Sequence, residues 1–481
     1  MLLSELVLGA PEITINSLMI DSRKKSSDAL FFCIKGMAND GHLFIDQAIS
    51  NGAVAIVYSE NLDKKVEGIT YIQVDNVRVA LAYITNIFYD DPSKKLKMFG
   101  VTGTNGKSSI AKMIKYIYSL QAPCGYIGTI SIEYGSVKKA PKLTTPDVVE
   151  LQSVLHDMVL CNMKACALEV SSIGLEQHRV DGIDFDCAIF TNLTHDHLDY
   201  HGNMESYFSA KRMLFQMIKS NGLSVINIDD NYGRRLIEDA QGNVITYGTS
   251  NDASYRCSNI KQYNNRTTFN LTHGNTEYFI ETNLLAMFNV YNLVAVIVSL
   301  HESGMDMEVI LEAVKHIPQI EGRMEYIDEG QNFNVIVDFA HTPDGIEQVM
   351  KFASSITPKE NRIIAVFGSA GKRDVIKRPI FGEIADKYCD LIILTEDDPR
   401  DESVEDIAKE IAKGIKQKNY IIITRRIDAI RQAIELANAH DTILLLGKGD
   451  ENFLYAQWGK EKYLGDNVVA RQCIKLFGQK N

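Results

Sequence analysis

The chain lacks any run of apolar residues long enough to cross a membrane. No stretch of its 481 residues approaches the ~18 apolar residues that a transmembrane helix needs. Residues 1–20 also lack the basic start and the continuous apolar core of a secretory signal. We therefore predict no membrane association and a cytoplasmic location.

Metal-type cysteine spacing and a positive net charge are missing as well. The eight cysteines include no C-x-x-C pair, so we expect buried, reduced thiols and no disulfides. The formal net charge is −12, which repels polyanions and argues against a nucleic-acid partner. An anionic substrate would need a local group of cations and backbone N–H groups.

The length and the order of predicted elements indicate an α/β fold with three domains. A chain of 481 residues exceeds one hydrophobic core, and ~150 residues per domain gives about three. Polar, proline-bearing residues 90–95 and residues 317–320 suggest the boundaries. The predicted domains are residues 1–92, 93–318 and 319–481.

Short apolar runs predict the strands of each domain. In the first domain, runs 30–34 and 53–58 surround a helical pattern at 43–51. The central domain is predicted to hold a mainly parallel sheet with an added antiparallel region at 254–282; its strands are 96–101, 165–170, 187–191 and 223–228. The last domain is predicted to be doubly wound and Rossmann-like, with strands at 335–339, 363–367, 391–395, 421–424 and 442–446.

A glycine-rich loop between strand 96–101 and helix 108–120 predicts a phosphate site. Its sequence is Thr102-Gly103-Thr104-Asn105-Gly106-Lys107-Ser108. Backbone N–H groups at the start of a helix favour an anion, Lys107 would reach the β and γ phosphates of ATP, and Ser108 would help to coordinate Mg²⁺. Val101 replaces the first glycine of the general pattern. An ordinary glycine turn is the alternative.

The form T-G-T-N-G-K-S resembles the Mur ligases and their folylpolyglutamate synthetase relatives. Further blocks between residues 21 and 451 resemble the MurE type of Mur ligase, which attaches the third residue of the peptidoglycan stem peptide. The resemblance implies an ADP-forming, ATP-dependent amide-bond ligase. Its substrates would be ATP, UDP-N-acetylmuramoyl-L-alanyl-D-glutamate and a diamino acid. The three domains would bind uridine nucleotide, ATP and amino acid in that order, in a monomeric protein.

The resemblance also implies two sets of substrate contacts. An asparagine amide can donate and accept at once, as a purine edge requires, and hydroxyls, an amide and a guanidinium suit a sugar, a pyrophosphate and a carboxylate. The implied ATP contacts are Gly103, Thr104, Asn105, Gly106, Lys107, Ser108, Asn289, Asn292, Arg323 and Asp338. The implied muramyl-peptide contacts are Ser22, Thr144, Thr145, Ser171, Gln177 and Arg179.

The catalytic and metal residues come from the same resemblance. Residues 192–202 place three histidines and two aspartates close together. The resemblance assigns His197, Glu169 and Ser108 to Mg²⁺, and it implies that Lys211 is N6-carboxylated and supports a second Mg²⁺. Lys107, Glu169, His197 and Lys211 are the expected catalytic residues. A structural zinc site and an ordinary surface lysine at 211 are the alternatives.

The amino acid added depends on a loop that departs from the family pattern. Asp397-Asp398-Pro399-Arg400 resembles the D-N-P-R signature of diaminopimelate-adding members, with Asp398 in place of asparagine. Arg400 suits the distal carboxylate of diaminopimelate, and we expect Asp398 to repel it. The resemblance adds Arg373, Gly447 and Glu451, with Glu451 facing the distal ammonium. We favour meso-diaminopimelate, with lysine or another amine of a diverged paralogue as alternatives.

Two other functions share the phosphate loop. A folylpolyglutamate-type ligase would not need a uridine-nucleotide domain, and residues 1–90 argue against it. A catalytically silent nucleotide-binding regulator would not need Lys107, Glu169, His197 and Lys211 together.

Overall fold

A small parallel sheet covered on both faces forms the start of the chain. The computed structural model describes residues 1–36, 39–263 and 266–477. Strand β2 (Ala29–Phe32) is fully buried because Leu30 and Phe32 enter one apolar cluster while Ala29 and Phe31 enter the other. The sheet order is β1-β2-β3-β4. Its other elements are α1 (Leu3–Leu6), β1 (Ser17–Met19), a 3-10 turn (Gly41–Phe44), α2 (Ile45–Ser50), β3 (Ala53–Tyr58), β4 (Thr70–Gln73) and α3 (Val77–Phe88).

An eleven-stranded sheet forms the centre of the molecule. Its order is β15-β14-β13-β12-β11-β10-β5-β9-β6-β7-β8, with β5 between β10 and β9. All pairings from β13 to β6 are parallel, and antiparallel strands extend both edges. The predicted mainly parallel sheet and the added antiparallel region are thus confirmed.

The bounds of the central elements follow. The strands are β5 (Lys97–Thr102), β6 (Cys124–Ile127), β7 (Ile132–Tyr134), β8 (Val137–Lys139), β9 (Ala165–Glu169), β10 (Phe185–Phe190), β11 (Ile218–Asn227), β12 (Asn243–Gly248), β13 (Tyr255–Gln262), β14 (Thr267–His273) and β15 (Thr276–Thr282). The helices are α4 (Lys107–Tyr118), α5 (Val148–Leu160), α6 (Ser172–Glu176), α7 (Leu198–His201), α8 (Met204–Arg212), α9 (Asn231–Leu236), α10 (Met287–Glu302) and α11 (Met307–Lys315), with 3-10 turns at Pro92–Lys95 and Met213–Gln216.

The last part of the chain is a doubly wound α/β unit, as predicted. Its sheet order is β16-β17-β21-β18-β19-β20. Helices α12, α13 and α14 cover one face, while α15 and α16 cover the other. The elements are β16 (Glu325–Tyr326), β17 (Asn334–Asp338), α12 (Pro343–Ile356), β18 (Ile363–Phe367), α13 (Lys377–Tyr388), β19 (Leu391–Leu394), α14 (Val404–Ala412), β20 (Asn419–Ile422), α15 (Arg426–Leu436), β21 (Thr442–Leu446), β22 (Phe453–Ala456), β23 (Gly459–Lys462) and α16 (Asp466–Phe477).

Some details differ from the sequence-based expectations. Strand β20 begins two residues before the predicted 421–424, because Asn419 and Tyr420 pair with β19 although they precede the apolar run 421–423 on which the prediction rests. All eight cysteines are unpaired, but Cys161 is exposed at the end of α5. The predicted domain boundaries stay predictions, and residues 478–481 of the last domain lie outside the described residues. No helix among the described residues is long and apolar enough to cross a membrane.

Candidate active site

The phosphate loop joins the carboxyl end of β5 to α4, and two of its glycines are required by geometry. Gly103 has φ of 144° and Gly106 has φ of 90°, in the region that favours glycine. A Cβ at Gly103 would lie 1.8 Å from Thr191 Oγ1, and one at Gly106 would lie 2.4 Å from Asn292 Oδ1. The loop backbone can therefore approach its neighbours, and an anion, only because these side chains are absent.

Lys107 is the first residue of α4, and its ammonium turns back over the loop. Its Nζ donates to Gly103 O at 3.0 Å and to Thr104 O at 2.8 Å. Burial lowers the pKa of this amine. Few groups compensate its charge in the structure, so Lys107 is placed to bind an anion that approaches the loop.

The loop opens into a cavity of about 310 Å³ between the central and last parts of the chain. Its walls join the ends of β5, β9 and β10 to the start of α12. The predicted residues that line it are Thr104, Asn105, Gly106, Lys107, Ser108, Thr144, Glu169, Ser171, His197, Lys211, Asn292, Arg323 and Asp338. Side-chain contacts cross the cleft; in one of them, Asn105 Nδ2 donates to Asp344 Oδ2 at 3.1 Å.

Glu169 ends strand β9 with its side chain fully buried. Its carboxylate accepts hydrogen bonds from Tyr126 OH at 2.6 Å, Thr129 N at 2.9 Å and Ser108 Oγ at 2.9 Å. It forms no ion pair of 4.0 Å or less with any residue that the structure describes. A buried carboxylate without a cationic partner is costly, so this oxygen site suits a hard cation such as Mg²⁺.

His197 lies across the same cavity in a left-handed backbone conformation, with φ of 53°. Burial lowers its pKa to about 4, which keeps the imidazole neutral and able to ligate near neutral pH. Its Nε2 lies 3.4 Å from Asp196 Oδ2. Within the described ranges no three His, Cys, Asp or Glu side chains converge as a metal cage. A metal here would need oxygen ligands from bound substrate in addition to these side chains, and both the implied Mg²⁺ and the zinc alternative stay predictions.

Lys211 is a buried lysine and not the ordinary surface lysine of the alternative. It is 1% exposed, donates to Gly103 O at 2.8 Å and lies 4.5 Å above the centre of the Tyr207 ring. Burial, followed by the charge of Lys107, lowers its pKa well below the usual value. A neutral amine is the form that reacts with CO₂, so the site suits the implied carboxylation.

Asn289, Asn292 and the first residues of the last domain lie beside the phosphate loop. Asn292 Nδ2 donates to Asn289 Oδ1 at 3.0 Å on α10. Arg323 stacks at 4.3 Å on the Phe339 ring, and its Nη2 lies 3.5 Å from Ser108 Oγ. Asp338 accepts backbone N–H groups of residues 324 and 340 at 2.7 and 2.8 Å. The resemblance implies that Asp338 either holds the ribose or orders the loop, and these contacts favour the ordering of the loop.

A second cavity of about 360 Å³ lies between the first and central sheets. Gln177 and Arg179 line it, and Arg179 donates to Gln177 Oε1 at 2.7 Å and to Thr145 O at 2.9 Å. Arg78 of α3 also lines this cavity. The sequence did not single it out, because an arginine within a helical pattern gives no sign of a binding role. Ser22 does not line it, since its Oγ donates to Gln47 Oε1 at 2.7 Å.

Two threonines and a serine lie between the two cavities. Thr145 Oγ1 donates to Glu169 O at 2.9 Å and accepts from Ser171 N at 2.9 Å. Ser171 Oγ caps α6 by accepting from the N–H of residue 174. Thr144 Oγ1 lies 3.1 Å from Thr129 Oγ1, which bonds Glu169 at 3.2 Å. A substrate held here would lie beside the buried carboxylate.

The predicted amino-acid residues lie around a loop after β19. Asp398 accepts from Lys448 Nζ at 2.9 Å, and Glu451 pairs with the same ammonium. The repulsion expected from Asp398 is therefore offset by Lys448, a residue that the sequence analysis missed because a lysine between two glycines gives no burial signal. Gly447 has φ of 110° beside Asp397. Arg373 instead approaches Asp199, at 3.9 Å, across the cleft.

Comparisons with known proteins agree with this arrangement. Residues 14–99 match "Mur ligase family, catalytic domain", residues 101–300 match "Mur ligase middle domain", and residues 322–449 match "Mur ligase, glutamate ligase domain". A relative from Clostridium acetobutylicum, UDP-N-acetylmuramoyl-L-alanyl-D-glutamate–2,6-diaminopimelate ligase 1, is 41% identical over 97% of this chain and 94% of its own.

Solved structures are similar over the whole length. A UDP-N-acetylmuramoyl-L-alanyl-D-glutamate–2,6-diaminopimelate ligase superposes with a TM-score of 0.71 at 31% identity, covering 99% of each chain. The MurF ligase of Thermotoga maritima in complex with ADP shares the fold, with a TM-score of 0.66 at 16% identity over 96% of each chain. The protein described here belongs to the Mur ligase family.

Proposed function

We propose that this protein is an ATP-dependent, ADP-forming ligase that adds meso-2,6-diaminopimelate to UDP-N-acetylmuramoyl-L-alanyl-D-glutamate in peptidoglycan synthesis. The observation that carries the proposal is the cavity in which the phosphate loop, Glu169, His197 and Lys211 face Arg323. Relatives of this name at about 40% identity over nearly the whole chain support the choice of substrates. The predicted monomeric state and cytoplasmic location stay predictions.

The chemistry would proceed through an acyl phosphate. The γ-carboxylate of the D-glutamyl residue attacks the γ phosphorus of ATP, an O–P bond forms, and ADP leaves. The α-amine of the incoming amino acid then attacks the carbonyl carbon, the C–O bond breaks, and phosphate leaves with that oxygen while the amine proton passes to solvent. No protein nucleophile is required, so the chain would act by positioning and by charge.

The residues of the cavity have separate roles in this scheme. Lys107 and the loop N–H groups would hold the β and γ phosphates, and Arg323 would meet the same charge from the other side of the cleft. Ser108, Glu169, His197 and carboxylated Lys211 would hold Mg²⁺, which neutralises the transferring phosphoryl group when bound. Carboxylation joins Lys211 Nζ to the carbon of CO₂, and the amine loses a proton to solvent.

The substrates would be divided among the three parts of the chain. Arg179 and Gln177, with Arg78, would bind the anionic part of the muramyl nucleotide in the second cavity. Asp398, Arg400, Gly447 and Glu451 would bind the amino acid. Closure of the cleft, of which the contact of Asn105 with Asp344 is one element, would exclude water from the acyl phosphate.

L-Lysine is the second candidate for the added amino acid. Asp397, Asp398 and Glu451 surround one ammonium, that of Lys448, and such an acidic loop also suits a substrate with a lone distal ammonium. Arg400 favours diaminopimelate, because its guanidinium pairs with no carboxylate in the part of the chain that the structure describes.

Phosphate release tests the proposal. Purified protein with ATP, Mg²⁺ and UDP-N-acetylmuramoyl-L-alanyl-D-glutamate should release phosphate when meso-diaminopimelate is added, and much less with L-lysine. Greater release with lysine would replace the first candidate by the second. Release with neither amine, while ATP still binds, would favour the silent regulator and overturn the proposal.

A further inference from the structure

A buried lysine lies between two of the candidate amino-acid-binding residues. Lys448 is 1% exposed, and its ammonium donates to Asp398 Oδ1 at 2.9 Å and to the carboxylate of Glu451. Burial opposes its charge, yet the carboxylates of Asp397, Glu451 and Asp398 together raise the pKa of Lys448. The lysine is therefore charged, and its position is set by its acidic neighbours.

Asp398 also controls the backbone that presents Arg400. Both residues have left-handed backbone conformations, with φ of 46° and 54°, which are costly for residues other than glycine. Asp398 Oδ1 accepts from Tyr455 N at 2.9 Å, and Arg400 N donates to Tyr455 O at 2.8 Å. The Asp398 side chain, which Lys448 pairs with, and the Arg400 N–H thus hold a strained segment against Tyr455 of the hairpin β22–β23.

The same pair leaves Arg400 available. The Nη1 of Arg400 donates to Gly371 O, and within the described ranges its guanidinium has no carboxylate within 4.0 Å. Among the described residues, Lys448 is the only cation within 4.0 Å of the Asp398 carboxylate, so without it this carboxylate would be unpaired in the loop that carries Arg400. Lys448 therefore keeps the carboxylate of the loop from competing with an external carboxylate for Arg400.

We propose that Lys448 is the residue that sets the preference for a dicarboxylic diamino acid in this protein. This role of Lys448 rests on the proposed function. Lys448 neutralises the aspartate that stands in the family's asparagine position, and so Arg400 can bind the distal carboxylate of the substrate. Lys448 acts as a positioning and charge-balancing residue, and it does not touch the reacting atoms.

A double-mutant cycle at positions 448 and 398 separates this charge-balancing role from a merely structural one. The measured quantity is the ratio of kcat/KM for meso-diaminopimelate to that for L-lysine, with the KM for ATP as an internal reference. Lys448→Met should lower the ratio by about 10- to 100-fold, because two unneutralised carboxylates then repel the distal carboxylate. Asp398→Asn should raise the ratio by about 3- to 10-fold, since one carboxylate is removed from the loop that carries Arg400 while Lys448 keeps its pair with Glu451.

The double variant and a control complete the cycle. Lys448→Met with Asp398→Asn should return the ratio to within about threefold of wild type, since charge balance is restored. Lys462→Met removes an exposed ammonium from the hairpin strand β23 and should leave the ratio unchanged. If Lys448→Met does not fold, Lys448→Gln, which keeps a polar side chain between Asp398 and Glu451, takes its place in the cycle and should lower the ratio in the same way.

The outcomes distinguish this inference from the proposed function. Equal loss with both amines in Lys448→Met, or an unchanged ratio in Asp398→Asn, would overturn the role of Lys448 while the ligase assignment stands. Wild-type protein that releases phosphate with neither amine would overturn the proposed function itself. A wild-type preference for lysine would contradict both.

Discussion

The phosphate loop and the amino-acid loop reach their geometry by different means. Gly103 and Gly106 let the backbone adopt positive φ without strain, and the side chains of Thr191 and Asn192 bond the backbone of Asn105 in the loop. Asp398 and Arg400 adopt positive φ as ordinary residues, held by Lys448 and a hairpin. The first loop therefore owes its positive φ values to glycine, while the second needs an ion pair and a hairpin to hold ordinary residues in the same conformation.

The largest expected effect is the loss of stability when a buried ion pair beside the amino-acid loop is broken. Arg426 donates to both oxygens of Asp466, at 2.7 and 2.6 Å, and to Leu446 O at 2.7 Å, just before Gly447. Both side chains are fully buried. Arg426→Met should lower the free energy of unfolding of the last domain by about 3–5 kcal/mol, because Asp466 keeps an uncompensated charge.

Urea unfolding measures this change. The matched control is Arg431→Met, which breaks an exposed pair with Glu435 on the same helix, α15, and should cost less than about 0.5 kcal/mol. Equal costs for the two variants would contradict long-range support of the amino-acid loop.

Removal of the loop cation should abolish most activity while the fold is kept. Lys107→Met should lower kcat by about 10²–10³-fold, because the transferring phosphoryl group loses a positioned charge. Lys351→Met, which removes an exposed ammonium from α12, is the control and should keep wild-type activity. Phosphate release measures both, and a small effect of Lys107→Met would argue against the assigned phosphate site.

Two glycines with similar φ values test whether the phosphate loop requires the absence of a side chain at Gly106. Gly106 and Gly304 have φ of 90° and 93°, but only Gly106 would place a Cβ against another residue, Asn292. Alanine at either position should cost about 1–2 kcal/mol of backbone strain. Only Gly106→Ala should also lower kcat/KM for ATP, by up to about 10²-fold, because the loop must move. Similar kinetics for both variants would mean that strain alone matters.

The smallest expected effect, taken per pH unit, is on the pH dependence of the free energy of unfolding. Burial lowers the pKa of His341 to about 4 from the ordinary 6.5. The unfolded chain then binds one more proton than the folded chain between these values, so stability should fall as pH drops from about 6.5 toward 4. This residue would contribute up to about 1.4 kcal/mol per pH unit. His341→Gln should flatten the decline in unfolding free energy measured across that range, and an unchanged slope would show that His341 titrates normally.

The fold was largely predictable because its signals are local. Buried parallel strands such as β5 and β18 read as continuous apolar runs, and the phosphate loop has a glycine at each required position. Edge strand β20 was misplaced by two residues because the apolar run 421–423 extends past its last residue.

The candidate site was predictable only in part. Glu169 and Lys211 could be singled out by resemblance, but nothing in the sequence indicated that Tyr126 bonds Glu169 or that Lys211 is buried. Arg78 and Lys448 were missed, since the contacts that give them a role connect distant segments. The assignment of Ser22 to the nucleotide stays a prediction, and its side chain turns toward Gln47.

Formation of an acyl phosphate can be tested by following the transfer of ¹⁸O from the substrate carboxylate to the released phosphate. UDP-N-acetylmuramoyl-L-alanyl-D-glutamate with ¹⁸O in its γ-carboxylate is converted with ATP and meso-diaminopimelate, and the released phosphate is analysed by mass spectrometry. Each released phosphate should carry one ¹⁸O from the carboxylate, because that oxygen attacks phosphorus and leaves with it. Product formation without ¹⁸O in the phosphate would rule out an acyl phosphate.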